Sequence, residues 1–254
     1  MYEAKRSLGQ NFFSNISLAN KIVDFTVSSS PKTILEIGPG TGSFTNIFTE
    51  RGFEVIAIEK DDDLASYIGS LNPNMKVYND DILQFDFSNL VLEKQNTVCY
   101  GSLPYNISKK IIRLLLKVQP VNDYYFIIQR EVAEKYSPKT KKSNLLSLTS
   151  SLYAESKILL NINPEAFRPR PKVNSSLIHF KIKDNILLDE ENEKIEKLIK
   201  TAFGKPRKTL SNNIPRNMDI ELGEYEKARA EDLVIEDFIK ILSYNSVNNE
   251  KAEE

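Results

Sequence analysis

The 254-residue chain has one cysteine, one histidine and no tryptophan. A single cysteine, Cys99, rules out an intrachain disulfide and a cysteine-built zinc cluster. Its place in the apolar run Thr97-Val98-Cys99-Tyr100 makes it a small buried hydrophobe rather than a nucleophile. His179 falls in Ser176-Leu177-Ile178-His179-Phe180, which alternates like a strand. With no second histidine to share a metal and no triad partner, metal hydrolysis and Ser–His catalysis are set aside. No apolar run approaches the roughly 18–20 residues of a membrane span. The polar stretch from Met1 to Gln10 has no signal-peptide core. The expectation is a cytoplasmic protein with no membrane and no metal.

Charge of one sign is also missing overall, since 34 Lys and Arg face 35 Asp and Glu. The distribution is uneven. Residues 1–182 hold 22 cations against 18 acids, whereas 217–254 hold 4 against 11. Anion binding must therefore be local rather than a property of the whole surface. Hydrophobic content of 41% with 27% charged residues is that of a globular chain. The length suits one ordinary domain with an appendage, or two domains.

Along the chain, Ile16, Ala19, Ile22 and Val23 recur at helical spacing, and Ser28-Ser29-Ser30-Pro31 ends that helix. Thr33 to Ile37 reads as a buried strand running into Gly38-Pro39-Gly40-Thr41-Gly42. Alternate glycines let the backbone turn sharply and approach a ligand, and the following helix offers free N–H groups. The next strand, from Phe53, ends in Glu59, roughly 17 residues after Gly42 and near the ~20 expected for an acid that binds ribose hydroxyls. Lys60-Asp61-Asp62-Asp63 then reads as a solvated helix start with acids at the positive end of the dipole. A third strand, Lys76 to Tyr78, ends in Asn79-Asp80-Asp81, where an Asp could accept from the amine of an adenine or simply be solvated.

A fourth strand, Thr97 to Tyr100, delivers Gly101-Ser102-Leu103-Pro104-Tyr105-Asn106 ahead of a helix from about Ile107. The Ser102 hydroxyl and the carbonyls beside Pro104 could accept from a flat amine-bearing ligand while Tyr105 stacks on its face. Taken alone, this stretch fits an ordinary strand-to-helix turn better. Four successive strand ends with candidate ligand groups reverse that preference. Beyond the turn, Ile107, Ile111, Leu114, Leu115 and Val118 make a core-facing stripe. Ser137 to Asn144 is a basic, breaker-rich loop, and Phe167-Arg168-Pro169-Arg170-Pro171-Lys172-Val173 holds three cations extended between prolines. A last strand runs from Val173 to Ile182. The acidic stretch from Lys183 to Asn192 reads as a linker, followed by a helix through Ile195 to Phe203 and another over Leu233–Ser243, with a disordered tail after Asn245.

These stretches resemble the rRNA adenine N6-dimethyltransferases that include KsgA and Erm. The resemblance runs from Leu8-Gly9-Gln10-Asn11-Phe12 to Thr209-Leu210-Ser211-Asn212-Asn213. It rests on Glu36-Ile37-Gly38-Pro39-Gly40-Thr41-Gly42, Leu103-Pro104-Tyr105-Asn106-Ile107-Ser108 and Pro169-Arg170-Pro171-Lys172-Val173-Asn174-Ser175. Gln129 to Lys135, Ala166-Phe167 and Ala202 to Leu210 lean towards KsgA, whereas Asp81 to Phe85 and Val173 to Ile178 are closer to Erm. The resemblance implies an α/β fold, a Rossmann-like class I methyltransferase sheet over residues 1–182 with a small all-helical, RNA-contacting domain over 183–254. It implies that Gln10, Asn11, Phe13, Gly38, Gly40, Glu59, Lys60, Asp81, Ile82 and Ser102 line an S-adenosylmethionine site, with Glu59 on the ribose and Asp81 on the adenine amine. Ser102, Leu103, Pro104 and Tyr105 would receive the target adenosine. Lys141, Lys142, Arg168, Arg170, Lys172, Arg207 and Lys208 would hold RNA phosphates.

The function so implied is N6,N6-dimethylation of adjacent adenosines in small-subunit (16S) rRNA within a pre-ribosomal particle, by a monomer. An Erm-type enzyme acting on large-subunit rRNA is the alternative enzyme. A ribosome-assembly factor that keeps the fold with little catalysis is the alternative of another class, motivated by Ser102, where the family usually has asparagine.

Overall fold

The computed structural model describes residue 5 and residues 9–71, 75–184, 189–205, 207–218 and 220–250, with side chains described for all of these but 189 and 244–250. Leu8 and Pro206, both within the stretches that carry the resemblance, lie outside the described residues.

The strands are β1 (Phe12–Phe13), β2 (Thr33–Ile37), β3 (Glu54–Glu59), β4 (Lys76–Asn79), β5 (Thr97–Ser102), β6 (Asp123–Gln129), β7 (Ala154–Ile162), β8 (Phe167–Arg168) and β9 (Ser175–Ile182). Seven of them form one sheet in the order β4-β3-β2-β5-β6-β9-β7. From β4 to β6 neighbouring strands are parallel, and β9 joins β6 antiparallel. The chain leaves β2 on one side towards β3 and β4, then returns to the other side for β5. That reversal opens a crevice at the carboxyl ends of β2 and β5, the position where open α/β sheets hold ligands. The register brings the strand ends level, since Ile37 pairs with both Ile58 and Gly101, and Glu59 pairs with Asn79.

Helices cover the sheet because each carries one apolar stripe. In α1 (Ile16–Thr26), Asn15 caps the first turn by accepting from the Leu18 N–H, and Ala19, Ile22 and Val23 are buried. α2 (Thr45–Glu50) and α3 (Asp62–Leu71) follow the glycine loop and β3. In α4 (Ser108–Val118) the buried apolar residues are Ile111, Ile112, Leu115 and Leu116. The expected stripe through Leu114 and Val118 is thus turned by part of a helical step, and Val118 is 44% exposed. The strand before it is also longer than expected. Gly101 and Ser102 belong to β5 rather than to the turn, Gly101 pairing with Ile37 and Phe126 and Ser102 with Ile127. Gly101 packs where no side chain fits, since a Cβ there would lie 2.9 Å from Leu103 Cδ2 and 3.0 Å from the Ile37 carbonyl.

A separate two-stranded ribbon pairs β1 with β8, Phe12 opposite Arg168 and Phe13 opposite Phe167. Phe13 is buried against the Phe44 and Phe167 rings at 4.9 and 5.1 Å. His179 stacks on Tyr125 at 4.4 Å and pairs with Asp123 at 2.7 Å, which accounts for it as a packing residue.

The chain divides into two compact units, residues 1–133 with 156–182, and 134–155 with 183–254. The single boundary expected after 182 therefore needs amending, since 134–155 also joins the second unit. Its helix α6 (Leu145–Ser151) packs on α7 (Asp189–Ala202), and the Ser143 N–H donates to the Glu231 carbonyl at 2.7 Å. α5 (Arg130–Tyr136) leads into this unit, and α8 (Leu210–Asn213) and α9 (Ile235–Glu250) complete its α-helices among the described residues. α9 runs seven residues past the Ser243 end expected from sequence, so the helix takes in most of the stretch read as a disordered tail. Residues 251–254 lie outside the described residues.

Candidate functional site

A cavity of about 230 Å³ opens at the carboxyl ends of β2, β3, β4 and β5. Gln10, Asn11, Phe13, Gly38, Gly40, Glu59, Lys60, Asp81, Ile82, Ser102, Leu103, Pro104 and Tyr105 all line it. The four strand ends singled out from sequence thus surround one space.

The glycine loop is shaped for close approach. Gly40 has φ +58°, and a Cβ on it would meet the Phe12 ring at 3.1 Å. Its N–H donates to Glu59 Oε2 at 3.1 Å, while Glu59 Oε1 accepts the Asp61 N–H at 2.9 Å. One carboxylate therefore ties the loop after β2 to the start of α3. Burial pushes the Glu59 pKa up, against these two backbone hydrogen bonds. Asp81 pairs through Oδ2 with Lys60 Nζ at 2.8 Å and accepts the Leu83 N–H on Oδ1 at 3.0 Å. The Lys60 ammonium holds its carboxyl below the ordinary aspartate range.

At the turn after β5 the two carbonyls flanking Pro104's ring differ. That of Pro104 accepts the Ile107 and Ser108 N–H groups at 3.2 and 2.9 Å and is spent on the first turn of α4. Among the described residues no hydrogen bond reaches the Leu103 carbonyl or the Ser102 hydroxyl. Both remain acceptors at the cavity wall. Tyr105, half-buried, bonds through its hydroxyl to Ser175 Oγ at 2.6 Å.

Glu36 and Tyr100 on the cavity wall, and Asp61 bonded to Gln10 of that wall, carry polar groups that were not singled out from sequence. Glu36, on β2 beneath the glycine loop, is buried with Oε2 accepting the Thr45 hydroxyl at 2.7 Å, and burial drives its pKa up to about 8. Its signal was an acid inside an otherwise apolar strand run. Tyr100, the strand partner of Glu36, has a buried hydroxyl without a hydrogen-bond partner although it lines the cavity. The cluster does start a helix, but Asp61 departs from the solvated reading: its side chain is fully buried, caps α3 by accepting the Asp63 and Leu64 N–H groups, and pairs with Lys5 at 2.9 Å and Gln10 Nε2 at 3.1 Å. Gln10 is thereby fixed as cavity wall. Asp62 and Asp63 are exposed.

The buried Glu36 yields a stability prediction. It is protonated in the folded protein and ionised in the unfolded chain between its ordinary value near 4.5 and its folded value near 8. The folded state then holds the extra proton, so this residue's contribution to stability is present in full below pH 4.5 and drains away up to pH 8. Urea unfolding at a series of pH values should show that decline, and Glu36→Gln should flatten it.

The seven expected phosphate contacts fall in both units. In the first unit Arg168 Nη1 donates to the carbonyls of Phe167 at 2.9 Å and Glu165 at 3.3 Å, Arg170 pairs with Glu165, and Lys172 is exposed. In the second, Lys142 pairs with Glu231 at 2.6 Å, and Lys141, Arg207 and Lys208 are exposed. The turn carrying Arg207 and Lys208 is closed by Asn213, whose Oδ1 accepts the Lys205 N–H at 2.8 Å and whose Nδ2 donates to the carbonyls of Lys205, Lys208 and Thr209 at 3.1, 3.2 and 3.3 Å. Three carbonyls are turned inward by one side chain. Among the described residues no cluster of three or more His, Cys, Asp or Glu is arranged for a metal ion, and no helix is long and apolar enough to cross a membrane.

A model of the ribosomal RNA adenine dimethylase family matches residues 1–252. A ribosomal RNA small subunit methyltransferase A from Ureaplasma urealyticum is 33% identical over 96% of this chain and 94% of that protein. The protein of the same name from Alkaliphilus oremlandii is 38% identical over 83% and 78%. Among solved structures, the 23S rRNA methyltransferase ErmE superposes with a TM-score of 0.71 at 21% identity over 93% of this chain and all of that one. A dimethyladenosine transferase from Plasmodium falciparum gives 0.72 at 22% identity over 92% and 98%.

Proposed function

Because the chain belongs to the ribosomal RNA adenine dimethylase family, we propose that it carries methyl groups from S-adenosylmethionine to the N6 amines of adjacent adenosines in small-subunit (16S) rRNA during ribosome assembly. The observation that carries this reading is the meeting of the glycine loop, Glu59, Asp81 and the Ser102–Tyr105 turn around one cavity. The relatives at 33% and 38% identity are small-subunit enzymes by name, whereas the likeness to ErmE is one of fold.

The cavity's chemistry fits the cofactor. Gly38 and Gly40 would admit it along the loop, Glu59 would take ribose hydroxyls and Asp81 the adenine amine, exchanging part of its bond to Lys60. The orphaned Tyr100 hydroxyl is a buried donor still wanting a partner there. When bound, S-adenosylmethionine supplies an electrophilic methyl group, so the protein has chiefly to align a nucleophile. Ser102 Oγ and the Leu103 carbonyl would accept the two hydrogens of the adenine amine, drawing them from the base plane and leaving the nitrogen lone pair directed across the cavity. Tyr105 would stack on the extruded base. Serine is shorter than asparagine at this point, which makes for a slower catalyst rather than an inert one.

RNA would be held by the cations. Arg170 and Lys142 must exchange a carboxylate for a phosphate, so they contribute less than the exposed Lys141, Lys172, Arg207 and Lys208. With the carbonyls of Lys205, Lys208 and Thr209 bonded to Asn213, three acceptors beside Arg207 and Lys208 are turned away from a phosphate. Asn213→Ala should reduce the slope of log affinity against log salt by about 1, the change expected for one lost phosphate contact. Filter binding of rRNA across a salt series would measure it.

The function itself is tested with labelled S-adenosylmethionine and small subunits from a strain lacking the modification. Label should appear as N6,N6-dimethyladenosine in 16S rRNA. Label only in protein-free large-subunit RNA would instead assign the Erm-type activity. A rate that becomes appreciable only in Ser102→Asn would identify an assembly factor with little catalysis.

A further inference from the structure

The hydrogen bond between Tyr105 and Ser175 joins two stretches 70 residues apart, the turn after β5 and the end of the proline–arginine loop. Ser175 opens β9, is wholly buried and pairs with Gln129 of β6, so its hydroxyl is a fixed point on the sheet. The Tyr105 backbone is held separately, its carbonyl accepting from Ser108 Oγ at 3.3 Å. That contact leaves the ring free to turn about its two side-chain torsions. The 2.6 Å bond acts at the far end of the side chain, where a restraint has the longest lever, and its part-buried setting limits competition from water.

We propose that Ser175 is a positioning residue that locks the Tyr105 ring at the angle needed to receive the target base. The inference rests on the reading that Tyr105 is the stacking platform. A ring held a few tens of degrees from the productive plane still buries the base but misdirects its amine, and catalytic geometry tolerates about 10–20°. The hydroxyl is thus occupied in orientation and is not itself presented to the substrate. Burial also raises the Tyr105 pKa, opposed by the hydrogen bond to Ser175.

The test removes the bond from either side. Ser175→Ala and Tyr105→Phe should each lower kcat on undermethylated small subunits by about 5–20-fold, with KM and S-adenosylmethionine affinity within about twofold of the native protein. The double variant should be no slower than the slower single one. With 3-fluorotyrosine incorporated, the ¹⁹F resonance absent from Tyr105→Phe should shift or broaden in Ser175→Ala, reporting ring reorientation without any turnover. Native rates in Tyr105→Phe, multiplied losses in the double variant, or an unmoved fluorine resonance would each overturn the proposal. Should Ser175→Ala fail to fold, Tyr105→Phe still breaks the same bond and decides the kinetic outcome. If Tyr105→Ala methylates at the native rate, the platform reading fails. If Tyr105→Ala is slow while Ser175→Ala and Tyr105→Phe are not, only the role of Ser175 fails.

Discussion

Tyr105→Ala is expected to lower kcat/KM for small-subunit rRNA by about 10–100-fold while leaving cofactor affinity nearly unchanged. The size follows from base–aromatic stacking, worth about 1–3 kcal/mol per base. Removing the ring also widens the cavity beside Pro104, so an extruded adenine would lack one wall and its amine would no longer be held against Ser102 Oγ and the Leu103 carbonyl. The split between the two ligands is diagnostic. Tyr105 lies at the turn after β5, whereas the glycine loop and Glu59 belong to β2 and β3. Isothermal titration with S-adenosylmethionine, beside single-turnover kinetics on small subunits, would separate base capture from cofactor binding. A matched fall in both would point to collapse of the cavity instead.

Glu59→Ala should have the opposite signature, a loss of cofactor affinity of about 10–100-fold that precedes any effect on RNA. Two backbone N–H groups, of Gly40 and Asp61, would lose a carboxylate acceptor, and a bond to a charged group contributes about 1.5–3 kcal/mol. The proposed ribose contact goes with them. Glu59→Gln is more selective, because it keeps an acceptor oxygen and discards the charge. The native protein carries its own control in pH. Burial raises the Glu59 pKa, so its carboxylate is lost at a higher pH than an ordinary glutamate's. Cofactor affinity should weaken as pH falls towards and through that raised value, and Glu59→Gln should be weak throughout but insensitive to pH over the same range. Titrations from pH 8 downwards would show it.

The parallel sheet was legible because its strands are short apolar runs cut off by glycine or acid, and a ligand edge built from strand ends repeats the same signal several times. What sequence concealed was the state of individual groups. Asp61, Asp62 and Asp63 are identical in type, yet only Asp61 is buried, because Lys5 and Gln10, some fifty residues earlier, fold over it. Glu36 looked like one polar letter in an apolar strand, and its neutral form follows from packing under α2 that no local pattern encodes. Residues 134–155 read as a continuation of the first domain because connectivity is all a sequence shows, whereas α6 finds its apolar partner in α7. Gly101 was taken for a turn residue, the commonest use of glycine, when its missing side chain serves the packing of Leu103 against Ile37.

The β1–β8 ribbon has a consequence for synthesis. Phe12 and Phe13 are made long before their strand partners, Arg168 and Phe167. A nascent chain with β2 to β6 already exposed has every strand end of the cavity and still lacks the pairing that pins its N-terminal wall. The pocket is therefore finished by one of the later stretches to be made, close in time to β9, which must enter the sheet between β6 and β7. Tight cofactor capture then waits on β8 and β9, and stalled chains released at increasing lengths should acquire it abruptly once those two strands are present.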